Sequence, residues 1–117
     1  MTFERLEGLV PPERVWVVTT AATAEATQDL LPEVPATNVL AEPTGRNTAA
    51  CAGFAAHACL AKDPEAVCVV LPADHVIDDA ARFRSALAAG TEHVRANGGL
   101  LTFGVCPTRP EPGYGYL

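Results

Sequence analysis

The sequence predicts an α/β fold: a mostly parallel sheet with helices on both faces. Three observations carry that reading. Short, β-branched apolar runs recur along the chain at 15–19 (VWVVT), 38–42 (NVLAE), 66–71 (AVCVVL) and 100–105 (LLTFGV). Longer stretches with helical signals separate them. Polar or turn-forming residues follow each run at its carboxyl end. Strands that alternate with helices of this length imply parallel pairing with helical crossovers.

Each element has a local reason. MTFERLEGL at the start has Phe3, Leu6 and Leu9 at helical spacing and reads as the tail of a helix, broken by PPER at 11–14. Val15–Thr19 follows as a buried strand. Thr23–Leu31 reads as a helix stopped by Pro32, and Asn38–Glu42 as the second strand. Thr48–Ala61 is nearly all small or apolar, which predicts a helix buried on more than one side. Ala66–Leu71 is continuous, β-branched and uncharged, the pattern of a central parallel strand. Asp78 or Asp79 can cap the next helix, which runs to about Ala96 and ends at Asn97, Gly98 and Gly99. Leu100–Val105 is the fourth strand, followed by a Pro-rich loop and GYGYL.

Composition narrows the class. The 117 residues are 49% hydrophobic and 19% charged, which suits one folded domain. The formal net charge is −6 and Lys62 is the lone lysine, a poor basis for nonspecific nucleic-acid binding. Four cysteines at 51, 59, 68 and 106 form no CxxC pair, so the expectation is small buried thiols in a reducing compartment rather than a zinc site. No apolar run approaches a membrane span, and the first residues lack the apolar core of a signal peptide. The expectations are no membrane partner, no nucleic-acid partner and a cytoplasmic location.

In parallel sheets, ligands bind at the carboxyl ends of strands. Two junctions qualify: Glu42–Thr48 and Pro72–His75. In EPTGRNTAA (42–50), Pro43 fixes the backbone, Gly45 permits a positive φ, and Asn47 or Thr48 can cap the helix. The helix N-terminus offers free N–H groups with Arg46 beside them, a setting for a nucleotide. Glu42 would repel phosphate, but it matches an edge that presents two donors side by side, as guanine does. The same residues also suit a plain strand-to-helix turn. Asp74, placed directly after a buried strand, can hold Mg²⁺ together with phosphates and water, or simply cap a turn. His75 can orient Asp74, face the ligand or be structural. His57 and His93 fall inside helices without partners at ligand spacing. In PEPGYGYL, Gly113 and Gly115 allow close backbone approach, and the tyrosines could line a sugar. No GxxxxGK[ST] or GxGxxG loop is present.

Taken in order, EPTGRNTAA, VVLPADHVI and TFGVCPTRPEPGYGYL resemble the nucleotidyltransferase domain of the mannose-1-phosphate guanylyltransferases, and the resemblance spans essentially the whole chain. It implies an incomplete Rossmann-like α/β fold of the nucleotide-diphospho-sugar transferase type. It also implies a reaction: GTP and mannose 1-phosphate give GDP-mannose and pyrophosphate, by in-line attack of the sugar phosphate on the α-phosphorus. Carried over by position, Glu42, Pro43, Gly45, Arg46, Asn47 and Thr48 would contact the guanosine part. Asp74 would bind Mg²⁺, and Gly113, Tyr114 and Gly115 would lie near the mannose. Departures accompany the match. The family's Gly-rich phosphate loop and its later metal-binding carboxylate have no counterpart in residues 1–117, and Ala50 stands where a proline is usual. The expectation is a partial domain, weakly active or inactive alone, that pairs with another copy or belongs to a longer chain. The alternatives are a nucleotidyltransferase for another sugar or base, and a noncatalytic sugar-nucleotide-binding protein.

Overall fold

A computed structural model describes residues 1–113 and Gly115. Two parallel strands, β1 (Val17–Thr20) and β2 (Val39–Glu42), pair in the register Val17 to Val39 through Thr20 to Glu42. Helix α1 (Ala24–Leu30) connects them, which gives one βαβ unit. Helix α2 (Asn47–Lys62) follows β2, and α3 (Ala80–Asn97) comes later in the chain. The architecture is α/β with a parallel sheet, as the sequence predicts.

The helix ends follow local chemistry. At Leu31 the backbone N–H closes α1 onto the Thr27 and Gln28 carbonyls, and Pro32 then prevents continuation. The Asp79 carboxylate accepts from the Arg82 N–H at 2.9 Å and caps α3. Gly98, at φ 70°, closes the other end by donating its N–H to the Val94 carbonyl at 2.7 Å.

Asn38 joins the two strands. It is almost fully buried, and its Nδ2 donates to the Glu13 and Val15 carbonyls at 3.0 Å each. This ties the start of β2 to the segment that enters β1. Lys62 Nζ lies 5.3 Å from the Trp16 ring centroid, which fixes the end of α2 beside β1.

Three expectations are corrected. The runs at 66–71 and 100–105 form no ladder among the described residues; the sheet is β1–β2 alone. A β-branched run has the capacity to be a strand, but strand structure needs hydrogen-bonded neighbours, and neither run finds one. Helix α2 is not buried on more than one side: it has no fully buried residue, and Phe54 and Leu60 are exposed. Without those extra strands its small residues are covered only in part, on the side that meets β1. The N-terminal segment forms only a 3-10 turn at Glu4–Leu6, packed on α3.

The 100–105 segment nonetheless lies against α3. A Cβ on Gly90 would sit 2.7 Å from Phe103 Cζ and 3.4 Å from Leu101 Cδ2, so the absent side chain is what admits Phe103. The apolar interior is small. Among the described residues, Val34 and Leu87 are the hydrophobic side chains that are fully buried. No described helix is long and apolar enough to cross a membrane.

Candidate functional site

Glu42 closes β2. It is half-buried, it pairs in register with Thr20, and its carbonyl accepts from the Ala21 N–H at 3.3 Å. The chain then turns through Pro43–Arg46 into α2. Arg46 is the N-cap residue (φ −128°), and no side chain caps the helix. The turn differs from the sequence expectation in two ways. The left-handed residue is Asn47, at φ 64°, and not Gly45. Neither Asn47 nor Thr48 caps α2 through its side chain. Asparagine tolerates this conformation because its short polar side chain can satisfy local backbone, so Asn47 takes the bend that Gly45 was expected to supply.

Between the strand end and the first turns of α2 lies an open depression of about 300 Å³, lined by Glu42, Pro43, Thr44, Arg46, Ala50 and Phe54. That volume is at the lower limit of small-molecule sites. It places one half-buried carboxylate, one exposed guanidinium and one aromatic ring around the same space. No acidic residue occupies the first turn of α2, so its N–H groups face no competing carboxylate there. Of the residues expected from sequence, Glu42, Pro43 and Arg46 line the depression. Gly45, Asn47 and Thr48 shape the turn but not its lining. Thr44, Ala50 and Phe54 were missed. The available signal was helical spacing, which sets Ala50 and Phe54 one turn apart on the face nearest Glu42.

Asp74 lies outside that lining, on the loop after the 66–71 run. It is exposed and makes no hydrogen bond or ion pair among the described residues. The backbone around it is held from the N-terminal segment. Thr2 Oγ1 donates to the Pro72 and Ala73 carbonyls, at 3.2 and 3.0 Å, and Arg5 Nη2 donates to the His75 carbonyl at 2.7 Å. His75 lines a cavity of about 30 Å³ with Thr2, Arg5, Leu71, Pro72, Ile77 and Phe83, which is room for one or two waters. No group of three or more His, Cys, Asp or Glu side chains gathers at metal-binding distance among the described residues. Asp74 offers a hard cation one exposed carboxylate, so an ion there would need its other ligands from phosphate and water. His57 and His93 are exposed on α2 and α3.

At the C-terminal end, the Gly113 N–H donates to Glu111 Oε1 at 3.3 Å, and Arg109 pairs with Glu111 at 3.7 Å. Gly113 and Gly115 are exposed; Tyr114 lies outside the described residues.

The four thiols are free, and two of them, Cys68 and Cys106, are exposed rather than buried as expected. Cys68 stands in the 66–71 run and Cys106 directly follows the 100–105 run, both of which were expected to be covered by sheet neighbours. The Cys59 thiol is pushed up to about 11, first by burial, then by its hydrogen bond to and the charge of Cys68, with Lys62 opposing.

The family model described as nucleotidyl transferase matches residues 2–117. A Vibrio cholerae protein, provisionally named a mannose-1-phosphate guanylyltransferase, is 33% identical over 116 residues, covering 99% of this chain and 25% of its own length. A mannose-1-phosphate guanylyltransferase of Salmonella typhimurium is 45% identical over 84 residues, covering 70% of this chain and 17% of its own length. A mannose-1-phosphate guanylyltransferase of Escherichia coli is 45% identical over 82 residues, covering 68% of this chain and 17% of its own length. The chain thus spans a quarter or less of the length of these relatives.

Proposed function

The chain belongs to the nucleotidyl transferase family, and on that premise we propose that it takes part in transferring GMP from GTP to mannose 1-phosphate, releasing GDP-mannose and pyrophosphate. The observation that carries this reading is the depression where Glu42, Arg46 and Phe54 meet. The Glu42 carboxylate accepts two hydrogen bonds from the ring N–H and exocyclic amine of guanine. The paired geometry rejects adenine, which lacks that donor edge; an acceptor that the ligand desolvates and leaves unpaired costs about 1–3 kcal/mol. The turn through Pro43, Gly45, Arg46, Asn47 and Thr48 carries the nucleotide toward the N-terminus of α2, whose N–H groups attract phosphate.

Asp74 would hold Mg²⁺, and the ion, when bound, would supply neutralisation of the phosphate charge. The mannose 1-phosphate oxygen attacks the α-phosphorus in line, the bond to the β-phosphate oxygen breaks, and pyrophosphate leaves. No covalent enzyme intermediate is required, so the protein's part is positioning and electrostatics. By their place in the family's pattern, Gly113, Tyr114 and Gly115 are the residues proposed to contact the mannose.

The test is thermal unfolding with Mg²⁺ and each of GTP, ATP, UTP, CTP and GDP-mannose. Ligand at about 100 times its dissociation constant stabilises by about 2.7 kcal/mol. Stabilisation by GTP and GDP-mannose alone, lost in Glu42→Gln, supports the reading. Equal stabilisation by ATP, or a Glu42→Gln variant that responds like the parent, refutes it.

A further inference from the structure

We infer that Thr2 and Arg5 are positioning residues for the nucleotidyl transfer site: they hold the Asp74 loop by its backbone so that the Asp74 carboxylate is presented free to metal. The inference rests on the metal-binding role proposed for Asp74.

The contacts bracket Asp74 on both sides. Before it, the single Thr2 hydroxyl proton is shared between the Pro72 and Ala73 carbonyls, at 3.2 and 3.0 Å. After it, Arg5 Nη2 donates to the His75 carbonyl at 2.7 Å. The two clamps are linked, because Arg5 Nη1 donates to Thr2 Oγ1 at 3.2 Å. Arg84 Nη1 on α3 in turn reaches the Arg5 carbonyl at 3.4 Å, which ties the assembly to the longest helix. Of the four loop positions from Pro72 to His75, all but Asp74 itself are thus held by two side chains some 70 residues away in sequence.

The choice of acceptors matters. A guanidinium placed on the Asp74 carboxylate would compete with a cation for it. Here the guanidinium is used on neutral carbonyls, and the carboxylate keeps its lone pairs. The rigid fork matters as well: Arg5 spans Thr2 and His75 with two different nitrogens, which a lysine ammonium on a flexible stem cannot reproduce in one geometry.

The experiment is Mn²⁺ binding to the full chain with GTP, read by water-proton relaxation and compared with Mn²⁺ and GTP alone. Far-UV circular dichroism and the unfolding temperature are recorded for every variant. Arg5→Ala and Thr2→Val are expected to weaken Mn²⁺ binding about tenfold, the size of effect typical of residues that orient a metal ligand. Arg5→Lys is expected to recover part of it. Asp74→Asn is expected to lose the protein-dependent signal. If Arg5→Ala does not fold, Thr2→Val and Arg5→Lys decide the matter. Unchanged Mn²⁺ affinity in the clamp variants, with Asp74→Asn impaired, overturns the positioning role and leaves the metal role standing; a lowered unfolding temperature without an affinity change does the same. An Asp74→Asn variant that binds Mn²⁺ like the parent overturns the metal role, and the positioning role with it.

Discussion

Replacing Asn38 should cost more than the loss of its volume, and the pattern across three substitutions shows why. Asn38 has 1% of its surface exposed, and its amide donates to two carbonyls, of Glu13 and Val15, at 3.0 Å each. A net hydrogen bond is worth about 1 kcal/mol, and a carbonyl left buried without a partner adds to the loss. The Glu13 side is partly open to water, so Asn38→Ala is expected to cost about 2–3 kcal/mol. Asn38→Asp keeps the shape but exchanges two donors for a carboxylate facing two carbonyl oxygens. It should cost more than alanine at neutral pH, about 4 kcal/mol, because the buried charge then faces two carbonyls with only the distant Thr37 hydroxyl, at 3.5 Å, to donate to it. The introduced acid should have a raised value in the fold, so its stability deficit shrinks as pH falls and the carboxyl is protonated. Asn38→Leu, which fills the space without polarity, should fall near alanine. Urea unfolding followed by the fluorescence of Trp16, the lone tryptophan, reads all three. An Asn38→Asp variant as stable as the parent at pH 7, or less harmed than Asn38→Ala, refutes the hydrogen-bond account and leaves Asn38 as filler. Glu42 stands four residues further on, at the end of the strand that Asn38 leads into, so these variants should also blunt the GTP response that depends on it.

Two other predictions follow from single features. Asp79→Ala removes the cap on the Arg82 N–H and should destabilise the chain by about 1 kcal/mol, with Asp79→Asn retaining most of it; urea midpoints measure both. Cys59, pushed up from 9.0 to about 11, should hold roughly a hundredfold less thiolate at pH 8 than an ordinary cysteine, so iodoacetamide should label Cys68 and Cys106 first in peptide mapping. Because the folded value exceeds the unfolded one, the stability tied to the neutral thiol is intact below about pH 9 and declines between about pH 9 and 11; a Cys59→Ala variant should lack that slope.

The helices were legible because their signals are local. Pro32 after α1, Asp79 before α3 and Gly98 after it each act within one turn of the residue concerned. The site was legible in part for the same reason: Glu42, Pro43 and Arg46 sit where a strand end must meet a helix start. The exact bend was not, since both Gly45 and Asn47 can adopt a positive φ, and which one does so depends on where pairing with β1 releases the chain. Phe54 looked like one more apolar position in a buried helix. Its place beside Glu42 emerges only once α2 is found to be uncovered. The 66–71 and 100–105 runs failed for a different reason. Their sequence reports a capacity for pairing, while the ladder depends on a partner strand that no local pattern supplies.

The surface of the chain shows what those unpaired runs mean for binding. A compact domain of this length has a radius of gyration of roughly 13 Å, whereas the chain measures 15.0 Å. A 12.2 kDa monomer is expected to expose about 6,100 Å²; the chain exposes 8891 Å². Apolar side chains contribute to it, with Val70, Val105 and Leu100 open to solvent. Yet neither half of the candidate site depends on that thin interior. Glu42 is fixed by its register with Thr20, and the Asp74 loop by Thr2 and Arg5. Each half is set locally, while little packing holds one half against the other. A nucleotide that engages Glu42 through its base and Asp74 through a phosphate-bound ion must therefore order the two together, and that ordering subtracts from its affinity. Whatever covers the 66–71 and 100–105 runs, whether a second copy or further polypeptide, would remove that cost in advance and tighten binding without touching the ligand.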